Sequence, residues 1–142
     1  MDGASKGNPG PAGSGGVLID YSRKIILNFS WGLGKKTNNI AEILAIWQGL
    51  SQAIRLSIKN LIIIGDSRII IQALNLKKAP NNMELAHYYR KVISQMNAFE
   101  ELKFYHVLCN LNQNADHEAN MGVALSKGDL CINGINNYVP IP

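Results

Sequence analysis

The sequence has little of what would place it in several common protein classes. Its two cysteines, Cys109 and Cys131, stand in no CxxC or Cys/His spacing, so neither a disulfide scaffold nor a zinc site is supported. No apolar run approaches the ~20 residues that a membrane span needs. No basic segment followed by an apolar core opens the chain, as a secretory signal would. The glycine-rich start lacks a Gly-X-Y period, which excludes collagen, and no internal repeat is visible. These absences predict an intracellular protein, nuclear or cytoplasmic, with no membrane partner.

What is present suits one globular domain. The chain has 142 residues, 46% of them hydrophobic, enough to bury a core. Charged residues make up 17%, below the ~25% usual in such domains. Fourteen Lys+Arg against ten Asp+Glu leave a net charge of +4, compatible with a polyanionic partner without demanding one.

Six of the thirteen glycines fall within the first sixteen residues. Asn8-Pro9-Gly10-Pro11 in that stretch predicts a rigid turn between extended pieces. Residues 16–21 and 24–31 then predict two strands, with Ile25, Leu27, Phe29 and Trp31 on one face of the second. Residues 37–56 predict the strongest helix, capped by Thr37 or Asn38, with Ile40, Ile43, Leu44, Trp47, Leu50 and Ile54 at helical spacing. Residues 61–64 (Leu-Ile-Ile-Ile) predict a strand buried on both faces of a parallel sheet. Helices follow over 67–75, opened by Asp66 or Ser67, and over 81–99, with Met83, Tyr88 or His87, Val92 and Met96 as its core stripe. A last strand over 103–108 and a last helix over 114–125 complete a domain spanning 1–125. The tail, 126–142, has no strong period and predicts an irregular segment, loose or draped over the surface. The class is α/β, a mixed sheet flanked by helices.

The informative residues are four acids in costly places. Glu42 is the only charge between Lys36 and Arg55, on a helix that is apolar around most of its circumference. A lone buried carboxylate costs several kcal/mol unless it is paired or bound to metal, although an acid near a helix start is also favoured by the dipole. Asp66 directly follows an apolar strand, at the sheet edge where ligands bind, or caps the next helix. Asp2 precedes a glycine-rich turn, and Asp116 opens the last helix; either could be an ordinary surface acid. Together, however, the four can converge at one sheet edge. Carboxylates gathered there repel one another, and hard divalent cations with oxygen ligands relieve this.

Asp2-Gly-Ala-Ser-Lys-Gly-Asn-Pro-Gly-Pro-Ala-Gly, Thr37-Asn-Asn-Ile-Ala-Glu42, Gly65-Asp66-Ser67 and Asn114-Ala-Asp116 resemble, in order, the motifs of the type 1 ribonuclease H family. Within it the chain is most similar to plant domains related to retroelement polyproteins. The resemblance runs from residue 2 to about residue 125. It implies a five-stranded mixed sheet with flanking helices, and cleavage of the RNA strand of RNA–DNA hybrids by a monomer. It implies that Asp2, Glu42, Asp66 and Asp116 are the catalytic acids and hold two Mg²⁺ or Mn²⁺ ions. It further implies that Asn8, Thr37, Asn38 and Asn39 contact the nucleic acid backbone. Lys6, Lys35 and Lys36 flank these motifs and could add phosphate attraction or be solvated loop charges.

Two departures from the family pattern lead to further expectations. About half a dozen apolar residues normally precede the first acid, whereas here only Met1 precedes Asp2. The first strand is therefore expected to be largely missing, as in an N-terminally truncated piece. The stretch Val107–Asp116 also lacks the histidine that many ribonucleases H carry there. His117 is expected to face away, and His87 and His106 to be structural. The rival reading is a degenerate, retroelement-derived domain that binds nucleic acid weakly without turnover.

Overall fold

The structure, a computed structural model, describes residues 1–108 and 112–142. Three strands come first: β1 (Asp2–Ser5), β2 (Gly10–Ile19) and β3 (Ile25–Lys36). Helix α1 (Asn38–Arg55) follows, then β4 (Asn60–Gly65), α2 (Arg68–Leu76), α3 (Met83–Gln95), a short 3₁₀ turn, β5 (Glu101–His106) and α4 (Gln113–Val123). Two more strands, β6 (Asp129–Ile132) and β7 (Ile135–Tyr138), end the chain.

Thr37 caps α1, its hydroxyl accepting the Ile40 N–H, and Ser67 rather than Asp66 caps α2. The core lies between β2–β3 and α1. Leu27, Phe29, Trp31 and Leu33 alternate inward along β3 and meet Ile43, Leu44, Ile46 and Leu50 of α1. Trp31 stacks on Trp47 with ring centroids 5.7 Å apart. Helix α4 crosses the opposite side of the sheet on glycines: a Cβ at Gly13 or Gly15 would strike its backbone. That contact explains why β2 starts at Gly10, earlier than expected, for its glycines are a helix seat rather than a loop.

The expected mixed sheet is divided into two ladders. One is antiparallel with the order β1-β2-β3-β6-β7, and the other is the parallel pair β4-β5. The division follows from the shortness of β1, whose register with β2 runs only from Asp2↔Gly15 to Ser5↔Ala12. The β1 end touches β4 through a single bond, from the Met1 nitrogen to the Ile64 carbonyl at 3.1 Å. Ile63 is accordingly buried, but Ile62 is 61% exposed, so β4 is not covered on both faces.

Two other expectations change. The tail is not loose: β6 pairs with β3, β7 with β6, and the Val139 carbonyl accepts the Trp31 indole N–H at 3.0 Å. On α3 the buried stripe is Leu85, Ala86, Tyr88, Tyr89 and Val92, while Met83 stands in solvent. The helix begins at Met83 behind its Asn82 cap, while the expected Tyr88 and Val92 are buried and Met96 packs against the core. No described helix is long and apolar enough to cross a membrane.

Candidate metal centre and nucleic-acid interface

Three elements bring their acids to one place. β1 supplies Asp2 at its first residue, α1 supplies Glu42 from its second turn, and Asp66 follows the end of β4. One carboxylate oxygen from each lies within 4.8 Å of the others. Asp116, in the first turn of α4, lines the same cavity of about 380 Å³, with Gly3, Ser5, Asn38, Asn39 and Ser67. Asp2 and Glu42 are 3% and 2% exposed, so neither is a surface acid. Asp66 is free of capping duty because Ser67 performs it.

The close approach of β1 to α1 depends on Gly3, where a Cβ would run into the Ala41–Glu42 backbone. This lets the Gly3 N–H donate to both Asp2 Oδ1 at 2.9 Å and Glu42 Oε2 at 3.1 Å. The other Glu42 oxygen, Oε1, is buried without a hydrogen-bond partner among the described residues. It sits where a Cβ on Gly65 would fall. A buried carboxylate with one oxygen unpartnered, grouped with two further acids, fits a cation ligand, because a bound cation would offset the cost of burying that oxygen. The donor set is oxygen only, which suits a hard divalent cation and not zinc.

Electrostatics agree with the geometry. Burial first, then the charges of Glu42 and Asp66 and a hydrogen bond with Asp116, push the Asp2 carboxyl up to about 9. Burial and the Asp66 charge push Glu42 up to about 7, against the opposing pull of the Met1 ammonium. The folded carboxyls thus keep protons that the unfolded chain releases above its usual ~4 range. The contribution of these two carboxyls to folding is therefore largest at acid pH and is lost as the pH climbs through 7 towards 9, while the Met1 amine, whose pKa burial lowers, pulls the other way. In EDTA, the melting temperature is expected to fall by about 5 °C between pH 5 and pH 8, and excess Mg²⁺ should remove most of that fall. A flat or rising profile in EDTA would contradict this account of the cluster.

Beside the acids lies a second, polar cavity of about 450 Å³, lined by Asn8, Thr37, Asn38, Asn39, Asn82 and Glu84 among others. Asn38 and Asn39 line both cavities, so the four polar residues singled out in the sequence adjoin the acidic site. The Asn8 side chain accepts the Asn38 N–H at 2.9 Å, and Asn39 accepts the Ser67 hydroxyl at 3.3 Å. Asn82 and Glu84 carry no signal in the sequence. They arrive because the start of α3 lies alongside the start of α1, a long-range contact with no local trace. Of the lysines, Lys36 is tied to Glu84 at 2.9 Å, and Lys6 reaches Asn120 at 3.4 Å. His106 is exposed, with Nε2 3.2 Å from the Asp66 carbonyl, at the site's edge rather than in the core. Residues 109–111 of the histidine-free loop lie outside the described residues.

Comparison with known proteins bears on the family and the fold. The family model described as reverse transcriptase-like matches residues 1–122. Ribonuclease HI of Halobacterium salinarum is 31% identical over 120 residues, covering 84% of this chain and 60% of that protein. The crystal structure of RNase H1 from that archaeon superposes with a TM-score of 0.82 at 30% identity, over 86% of this chain and 92% of that one. A bifunctional protein of Mycobacterium tuberculosis is 29% identical over 84% of this chain, which spans only 33% of its length. LC11-RNase H1, solved in complex with an RNA/DNA hybrid, gives a TM-score of 0.80 at 26% identity, over 86% of this chain and 92% of that one. With the family model covering most of its length and ribonucleases H sharing its fold, the chain belongs to the reverse transcriptase-like family of ribonuclease H-type domains.

Proposed function

We propose that this domain is a divalent-cation-dependent endonuclease that hydrolyses the RNA strand of RNA–DNA hybrids. The observation that carries the reading is the convergence of Asp2, Glu42, Asp66 and Asp116 on one cavity that shares two of its walls with an amide-rich pocket. Asp2, Glu42 and Asp66 are the residues to hold a first Mg²⁺ or Mn²⁺, and Asp116 stands at the rim for a second. Held there, such ions would supply activation of a water and stabilisation of the leaving oxygen in phosphodiester hydrolysis.

The chain's own residues supply position. Glu42 Oε2 and Asp2 Oδ1 are fixed by one N–H, that of Gly3, so the two carboxylates keep a constant relation while the buried Oε1 is left without a hydrogen-bond partner among the described residues. Asn38 and Asn39, at the start of α1, offer amide donors and acceptors between the acids and the polar pocket. That is the chemistry needed to hold phosphates and to sense a 2′-hydroxyl. The rival reading, binding without turnover, is disfavoured because all four acids are kept and Asp2 is buried and hydrogen-bonded despite its terminal position.

Cleavage of a labelled RNA–DNA hybrid with Mg²⁺ or Mn²⁺, beside EDTA and single-stranded RNA controls, tests the proposal. Metal-dependent, hybrid-selective cutting is expected. A folded protein that leaves the hybrid intact would overturn the proposal in favour of the rival.

A further inference from the structure

We propose that Asn112 is a positioning residue for the acidic site, setting Asp2 and Asp116 relative to each other. The inference rests on the nuclease reading above and names a residue that lies outside the four family motifs.

Asn112 immediately precedes α4 and is 5% exposed. An Asn at this place ordinarily spends its side chain on the helix's own first N–H groups. Here the side chain makes no cap bond. Its Nδ2 instead donates to the Met1 carbonyl at 2.8 Å, a buried contact across 111 residues of sequence. Its own carbonyl accepts the Asp116 N–H at 3.0 Å. The Met1 nitrogen in turn donates to the Ile64 carbonyl at 3.1 Å, two residues before Asp66.

Three hydrogen bonds thus run in sequence from β4, through the peptide that carries Asp2, to the first turn of α4. Asn112 supplies the middle link and receives the last one. Two other side-chain links join α4 to this part of the sheet, a hydrogen bond between Asp2 and Asp116 and the exposed 3.4 Å contact of Lys6 with Asn120, and neither ties α4 to the backbone that carries Asp2. The glycine seat under α4 fixes how closely the helix approaches the sheet. It offers no directional contact to stop the helix from sliding, and the Asn112 amide supplies one. Asp116 is exposed at the cavity rim, so its distance from the other acids depends on where the first turn of α4 is held.

Asn112→Ala removes the link, and Asn112→Asp keeps the shape but sets an acceptor against the Met1 carbonyl. Both are read by calorimetric Mn²⁺ binding without substrate and by hybrid cleavage, with circular dichroism to verify folding. The comparison variant is Ser30→Ala, which removes a different tie between α4 and the sheet, the 2.6 Å bond from Ser30 Oγ to Glu118. Both Asn112 variants are expected to bind Mn²⁺ about tenfold more weakly and to lose ~10- to 100-fold in kcat, the range for outer-shell partners, with KM little changed. Ser30→Ala should lower the melting temperature while leaving Mn²⁺ affinity unchanged. Unaltered Mn²⁺ affinity in folded Asn112 variants, an equal loss of affinity in Ser30→Ala, or loss of the fold in both Asn112 variants would overturn the proposal. If the parent protein binds Mn²⁺ but cuts no hybrid, the nuclease reading fails separately, and the affinity measurement still reports on Asn112.

Discussion

Asp66→Asn is expected to abolish hybrid cleavage while leaving the metal-free protein as stable as its parent, or more so. The substitution keeps size and shape and removes one charge. Loss of an outer-shell partner alone costs ~10- to 100-fold, so losing a residue that itself offers a ligand atom should exceed that range. Stability should move the other way. Asp66 is not the cap of α2, so no helix end depends on it. Its charge is among the causes that raise both Asp2 and Glu42, and removing it relieves repulsion inside a buried cluster. Thermal melts in EDTA and in Mg²⁺ separate the two effects. Asp66→Asn should equal or exceed the parent in EDTA and lose most of the gain that Mg²⁺ gives the parent. Retained turnover would refute the assignment of the site, and a large fall of stability in EDTA would mean that Asp66 has a structural partner instead.

The legibility of this site varies residue by residue. Glu42 stands out locally, since a single charge on an apolar helix signals its own burial. Asp66 is ambiguous in sequence between a ligand and a cap, and the structure resolves it by giving the cap to Ser67. Asp2 has no local signal, because a glycine-rich stretch after an acid reads equally well as solvated chain; only the ordered set of motifs singles it out. Asn82, Glu84 and Asn112 are invisible because each matters through a neighbour far away in sequence, at α1 or at Met1.

The same division applies to the fold. The strong period of α1 marks its bounds to within a residue or two, and on α3 the expected Tyr88 and Val92 are buried, whereas Met83, the first residue of that helix, is left in solvent. The tail hairpin does have a signal: Asn133-Gly134, with φ of 51° and 80°, is the dipeptide of a tight hairpin turn. It is outweighed by the shortness of the four-residue strands on either side, which are held by the pairing of β6 with β3 and of β7 with β6.

Joining a short apolar segment in front of Met1 is expected to raise the melting temperature by about 5–10 °C. Beyond Gly15, β2 has no partner on the β1 side among the described residues, and β4 offers its own edge across the gap. Two cavities flank that gap. One, of about 370 Å³, is lined by Met1, Val17, Ile19, Ile64 and the start of α4, and the other, of about 420 Å³, by Leu18, Ile26, Leu61 and Ile62 among others. Continuing the observed register sets three added residues opposite Val17, Leu18 and Ile19 in turn, so their side chains alternate between the two faces. Burying three such side chains at ~1.5–3 kcal/mol each, against ~1–2 kcal/mol per residue for ordering the backbone, leaves about 2–3 kcal/mol. A Val-Ile-Val extension should realise that gain, and a Val-Pro-Val extension should forfeit most of it, since proline removes a ladder donor in the middle of a sheet. The extended protein should also hold Asp2 more firmly and cleave hybrid faster at a fixed Mg²⁺ concentration. Equal melting temperatures for the two extensions would show that the gap between β2 and β4 does not accept a strand.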